Sequence, residues 1–141
     1  MPDLVRPGDI LPSAHVRPLG GGPPVRLGPN RARAQVLVVT HAERCDGCLG
    51  YLRSWSGVHD TVRAEKADVV ALVGRGWSGR AADLPVPAVV AERGLADALS
   101  VAGTPVVAVA DRFGQLFERI DAGDDHAFPD HAEVFARLVG I

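Results

Sequence analysis

The chain has 141 residues, 47% of them hydrophobic and 23% charged. This is enough for one domain that buries roughly two-thirds of its unfolded surface. Its 15 basic and 17 acidic residues are intermixed, so a nucleic-acid or anionic-membrane partner is not expected. No apolar run reaches the roughly 18 residues that span a bilayer, and residues 1–8 lack the apolar segment of a signal peptide, so we expect a cytoplasmic location.

The amino-terminal part of the chain predicts a small β-hairpin. Residues 14–16 and 25–27 are short apolar segments, and the glycines and prolines of residues 20–24 between them are typical of a turn. Residues 1–34 are too short to bury a core of their own. We therefore expect one domain, in which this hairpin extension precedes a core of residues 35–141.

The next segment predicts a β-α-β unit. Residues 36–40 and 69–73 are continuous, β-branched runs typical of buried strands. Between them, apolar residues at spacings of three or four predict an amphipathic helix that continues to about residue 65. Gly57 lowers the local helix propensity and is a candidate position for a bend. Two strands joined by a helix imply parallel pairing with a right-handed crossover.

The rest of the chain predicts a mixed arrangement of strands and helices. The elements are a loop, an extended segment, a brief helix, a β-hairpin and a final helix, over residues 74–85, 87–91, 95–99, 106–120 and 129–139. The whole order predicts an α/β fold with a central mixed sheet flanked by helices. Trp55 is expected in the core, whereas Trp77, in a glycine-rich loop, is expected to be at least half exposed and able to line a partner groove. The acidic stretch 121–125 predicts a solvated turn.

The only two cysteines, Cys45 and Cys48, follow the first buried strand and begin the long helix. A helix N-terminus presents unpaired N–H groups and partial positive charge, which stabilise a thiolate. With the sulfurs one turn apart, the first can attack a disulfide and the second can release the mixed disulfide. The pair therefore indicates thiol–disulfide chemistry. One alternative is that both cysteines are buried in the core as small apolar side chains without a chemical role. A zinc site is a second alternative, and the absence of a second Cys-x-x-Cys or a His-x-x-x-His argues against it.

Four polar residues flank the cysteines and are candidates for tuning them. Arg44 would lower the pKa of Cys45, whereas Asp46 would oppose the thiolate while suiting the first helical turn. His41 and Glu43 are candidate proton relays, although each also fits an ordinary polar loop. The sign of the net pKa shift stays open at this level.

This order of elements, with Cys-x-x-Cys after a central strand and Thr104-Pro105 before a hairpin, resembles the thioredoxin superfamily. Residues 7–12 and 25–27 resemble the opening of redoxins, the branch that contains peroxiredoxins and the membrane-tethered thiol reductases of cytochrome maturation. The resemblance covers about residues 6–139 and implies a thioredoxin-like fold.

The resemblance also implies roles for individual residues. Cys45 would be the exposed nucleophile and Cys48 the buried resolving thiol. Pro105 matches the family's cis-proline, and the backbone at Thr104 would pair with an extended substrate.

The chain departs from the family at several of these positions. Arg44, Asp46 and Gly47 replace the Trp, Gly and Pro of the thioredoxin motif, and Val39 stands in place of its buried acid. The Pro and the Thr or Ser that precede the reactive cysteine of peroxiredoxins are missing on either alignment. Copper-chaperone relatives use Cys-x-x-x-Cys with a distant histidine. His126 or His131 could serve as that histidine, but the cysteine spacing is one residue short.

Together these features predict a thiol–disulfide oxidoreductase that uses Cys45 and Cys48. Its partners would be a disulfide-bearing protein or small molecule and an external reductant, with no cofactor, metal, nucleic acid or membrane. Two alternatives stay open. One is a peroxiredoxin-like hydroperoxide reductase with an antioxidant role, and the other is a non-catalytic thioredoxin-like binding module.

Overall fold

The computed structural model describes residues 4–19, 21–27, 33–41, 45–58, 67–74, 77, 84, 86–90, 98–99 and 104–139. Its elements, in chain order, are β1 (Ala14–Pro18), β2 (Val25–Leu27), β3 (Ala34–Val39), α1 (Asp46–Ser54), β4 (Ala67–Val73), β5 (Ala88–Val90), β6 (Val106–Ala110), β7 (Leu116–Asp121) and α2 (His131–Val139). The strands form one mixed sheet in the order β2-β1-β5-β4-β3-β6-β7. None of the described helices is both long and apolar enough to cross a membrane.

The centre of the sheet is the predicted β-α-β unit. β3 pairs in parallel with β4 and antiparallel with β6. Every residue of β6 is buried, as are Gln35 to Val39 of β3. A strand covered on both faces has no solvent side, which is why these segments read as continuous apolar runs and do not alternate.

The amino-terminal hairpin is confirmed and extends the sheet. β1 and β2 pair antiparallel, with Ala14 opposite Leu27 and Val16 opposite Val25. β1 also pairs antiparallel with β5, through Arg17 opposite Val90. The hairpin therefore covers the edge that β5 would otherwise expose.

The first helix is shorter than the periodicity predicted. α1 ends at Ser54, a turn follows through Val58, and Gly57 has a φ of 80°. That left-handed conformation favours glycine and terminates a helix, so the expectation of one helix to about residue 65 is wrong. Residues 59–66 lie outside the described residues, as does most of the predicted helix 95–99, of which residues 98 and 99 are described and helical.

Four connections meet at one edge of the sheet, namely the edge formed by the carboxyl ends of β3 and β4. Val39, the last residue of β3, pairs with Leu72 near the end of β4 and with Val106 at the start of β6. Val106 in turn pairs with Asp121, the last residue of β7. The segments that leave or enter the sheet at this edge are therefore those that follow β3, β4 and β7 and the one that precedes β6.

Candidate redox site

The two cysteines lie where α1 begins. Cys45 is the residue before the helix and has an extended backbone, and its carbonyl accepts the hydrogen bond from Leu49 N–H at 2.9 Å. Both thiols are free, Cys45 being half-buried and Cys48 fully buried. Cys45 is therefore the more accessible of the two sulfurs.

Cys45 contacts a histidine from the far end of the chain. Its Sγ lies 3.0 Å from Nε2 of His126, which follows β7, 81 positions later in the sequence. His126 has a φ of 58°, in the left-handed region that residues with a Cβ seldom adopt. Its ring lies against Gly47, where an added Cβ would stand 2.8 Å from ring carbons. The glycine between the cysteines is thus what allows the imidazole to approach.

Cys48 faces a second histidine. His41 Nδ1 lies 3.5 Å from Cys48 Sγ, and its Nε2 lies 2.9 Å from Asp124 Oδ1. A carboxylate only accepts, so Nε2 carries the proton, and in the neutral ring Nδ1 is left as an acceptor toward the Cys48 thiol. The same hydrogen bond to Asp124 raises the pKa of His41. The rings of His41 and His126 meet edge to face, with centroids 5.1 Å apart.

These surroundings separate the two thiols electrostatically. Burial acts to raise the pKa of Cys45, but hydrogen-bond donors outweigh it and lower the pKa to about 6. These hydrogen bonds come from the backbone N–H of Cys48, from the side chain of His41, which can donate to sulfur only when its ring is protonated, from the side chain of His126 and from the backbone N–H of Gly47. Burial raises the pKa of Cys48 to about 12, and the neighbouring Cys45 acts in the same direction. The first thiol is therefore a thiolate at neutral pH, while the second keeps its proton.

Trp77 supports the segment that carries His41. Its indole is fully buried, and Nε1 donates a hydrogen bond of 3.0 Å to the His41 carbonyl. The expectation that Trp77 is at least half exposed and lines a partner groove is wrong. Its N–H is satisfied inside the protein and its apolar body joins the cluster around α1 that also contains Trp55.

The remaining predicted site residues have mixed outcomes. Thr104 is half-buried and Pro105 is buried directly before β6, at the edge where the cysteine loop leaves the sheet. No peptide bond between described residues is cis, so the Thr104–Pro105 bond is trans and the cis-proline implied by the resemblance is corrected. The trans form is the ordinary one for an X-Pro bond. Asp46 is exposed in the first turn of α1, and Glu43 and Arg44 lie outside the described residues.

Sequence reasoning missed the roles of Asp124 and His126. The stretch that contains Asp124 was expected to be only a solvated turn, and His126 was considered only as a distant copper ligand. The predicted hairpin 106–120 carried part of the signal, since a hairpin returns the chain to the edge from which it started and so brings the residues after its second strand near Thr104 and Pro105. Their position beside the loop after β3 depends also on the pairing of β3 with β6.

A shallow groove adjoins the cysteines on the His126 side. It has a volume of about 370 Å³ and is lined by Gly47, Tyr51, Ser54, His126, Phe128, Pro129, Asp130 and His131. Tyr51 and Phe128 stack within it, with ring centroids 4.1 Å apart. The lining of the groove is thus both aromatic and polar, and it reaches the site through Gly47 and His126.

Comparison with known proteins finds similarity in structure alone. No protein-family model matches the chain, and no curated protein matches it in sequence. Among solved structures, peroxidoxin BcpB from Mycobacterium tuberculosis superposes with a TM-score of 0.75 at 17% identity, over 97% of this chain and 98% of that one. A protein described as thiol:disulfide interchange protein DsbE from Chlorobium tepidum gives 0.71 at 20% identity, over 95% and 99%. A peroxiredoxin-like protein from Aquifex aeolicus gives 0.76 at 15% identity, over 99% and 89%.

At these identities the comparisons bear on the fold. The three matches extend over 95–99% of this chain, with TM-scores of 0.71–0.76. The chain therefore has the α/β thioredoxin-like fold of the redoxins.

Proposed function

We propose that this protein is a thiol–disulfide oxidoreductase in which Cys45 attacks and Cys48 resolves. The observation that carries the proposal is the 3.0 Å contact between Cys45 Sγ and His126 Nε2 at the start of α1, with the Cys48 thiol one turn further on. A half-buried sulfur that faces hydrogen-bond donors and has a second thiol within reach is suited to disulfide exchange. The redoxin fold supports the same class of chemistry.

The reaction proceeds in two exchange steps. The Cys45 thiolate attacks one sulfur of a substrate disulfide, the substrate S–S bond breaks, and the first substrate thiolate leaves and takes up a proton. Cys48 then loses its proton to Nδ1 of neutral His41, attacks Cys45 Sγ and releases the second substrate thiolate. The protein is left with a Cys45–Cys48 disulfide, which an external dithiol reduces back to two thiols.

The high pKa of Cys48 suits this order of events. Part of the rise comes from the neighbouring Cys45. In the mixed disulfide Cys45 carries no charge, so that part is removed when Cys48 must ionise. His41, held by Asp124 on one side, presents an acceptor nitrogen on the other. The resolving thiol thus becomes easier to deprotonate after the first step and not before it.

Reduction of hydroperoxides is the second candidate, and the low pKa of Cys45 favours it. In that reaction the Cys45 thiolate attacks the peroxide oxygen, an alcohol leaves, and Cys45 becomes a sulfenic acid. Cys48 then condenses with it, releasing water and forming the same disulfide. The two reactions share residues and differ in the first electrophile.

Side-by-side assays of disulfide reduction and hydroperoxide reduction, each with dithiothreitol as recycling reductant, test both candidates. We expect Cys45→Ser to abolish turnover. Cys48→Ser, incubated with the disulfide substrate in the absence of dithiothreitol, should accumulate a mixed disulfide at Cys45, visible by mass spectrometry as one bound substrate half. His15→Gln, a change at an exposed position of β1, serves as the matched control. If neither cysteine variant alters either activity, the redox function is refuted and a non-catalytic binding module is left.

A further inference from the structure

Four potential metal ligands from three parts of the chain converge at the sheet edge. His41, Cys45, Cys48 and His126 each offer one donor atom, and these atoms all lie within 4.8 Å of one another. Cys45 Sγ is 3.0 Å from His126 Nε2, and Cys48 Sγ is 3.5 Å from His41 Nδ1. In a tetrahedral zinc site with two sulfur and two nitrogen ligands, the donor atoms are roughly 3.3–3.8 Å apart. The four atoms thus need only small shifts to surround one ion.

The second shell of these ligands is already in place. Metal-binding histidines commonly donate their other ring N–H to a carboxylate, which fixes the ring and its tautomer. His41 Nε2 makes this bond to Asp124, so Nδ1 is the nitrogen that faces the cluster. The Trp77 indole N–H donates a hydrogen bond to the His41 carbonyl and so fixes the backbone of this residue. His41 is therefore held in the orientation and tautomer that a ligand requires.

The position of His126 is equally constrained. Its ring fits against Gly47, where any larger residue would exclude it, and its backbone adopts a left-handed φ of 58°. A backbone cost of this kind is retained where the side chain it directs has a use. Two soft thiolates and two imidazoles favour Zn²⁺ over Mg²⁺ and Ca²⁺, which prefer oxygen ligands.

We propose that the reduced protein binds one Zn²⁺ through Cys45, Cys48, His41 Nδ1 and His126 Nε2. Binding replaces the thiol protons that remain and leaves a site in which two thiolates neutralise the charge of the ion. The site goes beyond the proposed oxidoreductase function and does not rest on it, because it needs only the reduced thiols and imidazoles. With the metal in place both sulfurs are coordinated and neither can attack a disulfide.

The test uses Co²⁺ as a spectroscopic probe for Zn²⁺. Full-length protein is reduced, freed of metal with a chelator and titrated with Co²⁺. We expect saturation at one ion per chain, with the intense visible bands of tetrahedral cobalt and a thiolate-to-cobalt charge-transfer band, all of which Zn²⁺ abolishes by displacement. Zn²⁺ should also protect both cysteines from alkylation by iodoacetamide. Oxidation to the Cys45–Cys48 disulfide should remove binding.

Variants separate this site from a pair of thiols that captures metal unaided. His41→Gln and His126→Gln should each weaken Co²⁺ binding at least tenfold and alter the visible bands, whereas His15→Gln should change neither. Asp124→Asn should weaken binding about 10- to 100-fold with little change in the bands, because it acts through His41. Asp125→Asn is the matched control, since Asp125 is the next residue and is exposed, as Asp124 is.

Three results would overturn the proposal. They are binding without tetrahedral thiolate bands, more than one ion per chain at saturation, or equal affinity of the His41→Gln, His126→Gln and His15→Gln proteins. Circular dichroism identifies any variant that fails to fold. If a histidine variant is unfolded, the proposal is tested by comparing Asp124→Asn with Asp125→Asn and by the protection of the wild-type cysteines from alkylation. Metal binding is measured without substrate, so its failure is distinguishable from loss of redox turnover.

Discussion

The imidazole of His126 occupies the space that a Cβ at Gly47 would need. The added carbon would lie 2.8 Å from two ring carbons and 2.9 Å from Nε2, the atom that contacts Cys45. The glycine between the two cysteines is therefore a steric condition for the histidine contact. This relationship links a short local motif to a residue that is distant in sequence and adjacent in space.

Gly47→Ala should reduce Cys45 reactivity while the protein stays folded. The ring must turn away from Cys45, and a hydrogen bond to a charged group contributes about 1.5 kcal/mol, so the thiolate becomes less favoured. We expect alkylation of Cys45 at pH 6 to slow about fivefold, since about 1.4 kcal/mol is one pKa unit, and a rise of one unit from about 6 lowers the thiolate fraction at pH 6 from about one-half to about one-tenth. Iodoacetamide kinetics followed by mass spectrometry measure this change.

Gly50→Ala is the matched control in the same helix. Gly50 is exposed, and a Cβ there meets nothing within 4 Å. Replacing a helical glycine with alanine should raise the free energy of unfolding by about 0.5–1 kcal/mol and leave Cys45 kinetics unchanged. Equal slowing of Cys45 in both variants would mean that the His126 contact is not what Gly47 provides.

The backbone conformation of His126 should lower the stability of the protein, while the imidazole that it places beside Cys45 raises the reactivity of that thiol. Its φ of 58° is easily adopted by glycine and costs other residues about 1–2 kcal/mol. His126→Gly should therefore be more stable to urea than His126→Gln by about 1 kcal/mol, although both lose the imidazole and slow Cys45 alkylation to a similar extent. A glutamine variant as stable as the glycine variant would contradict the argument from backbone strain.

The pH dependence of alkylation should distinguish the two thiols. The pKa of Cys45 is lowered to about 6, so its reaction rate in the reduced, metal-free protein should rise with pH to a plateau, with a midpoint near pH 6. Below that midpoint Cys45 takes up a proton and the rate falls. The pKa of Cys48 is raised to about 12, so Cys48 should stay unmodified between pH 6 and 8. Equal labelling of both cysteines at pH 7 would refute the electrostatic separation.

Trp77→Phe should loosen the segment that carries His41. The variant removes the donor to the His41 carbonyl and part of a fully buried ring, and we expect it to lower the free energy of unfolding by about 2 kcal/mol. Trp55→Phe shrinks another fully buried ring in the same cluster and should lower stability by less, because the buried Nε1 of Trp55 has no hydrogen-bond acceptor among the described residues. NMR signals of the His41 imidazole should shift in the Trp77 variant and not in the Trp55 variant. The same shift in both would indicate a general packing effect.

Much of the fold could be predicted because local sequence patterns determine many of its strands, turns and helices. The β-branched runs of β3 and β4, the turn residues between β1 and β2 and the helical spacing around Leu52 each reflect burial by near neighbours. The end of α1 was harder to predict, because periodicity continues past the Gly57 turn and propensity alone is a weak signal.

Only the part of the candidate site whose residues are close in sequence could be predicted. Cys45, Cys48 and His41 lie close in sequence and were recognised as a group. Asp124 and His126 reach them through the pairing of β3 with β6 and of β6 with β7, a relationship that no local pattern encodes. The burial of Trp77 was missed for a similar reason, since its acceptor is a backbone carbonyl 36 positions away.

The pairing of β7 bears on how the site opens. Among the described residues, the first part of β7 is held on both sides, by β6 and by backbone bonds from residues 8–11, whereas the backbone of residues 118–121 bonds to β6 alone. Local opening is least costly where a strand has one neighbour. Separation of this last stretch would release one end of the segment that carries Asp124 and His126, whose other end is held on α1 by the contacts of Tyr51 with Phe128 and Pro129. Conditions that speed amide hydrogen exchange at residues 118–121 should therefore also change the alkylation rate of Cys45, because both depend on the same opening event.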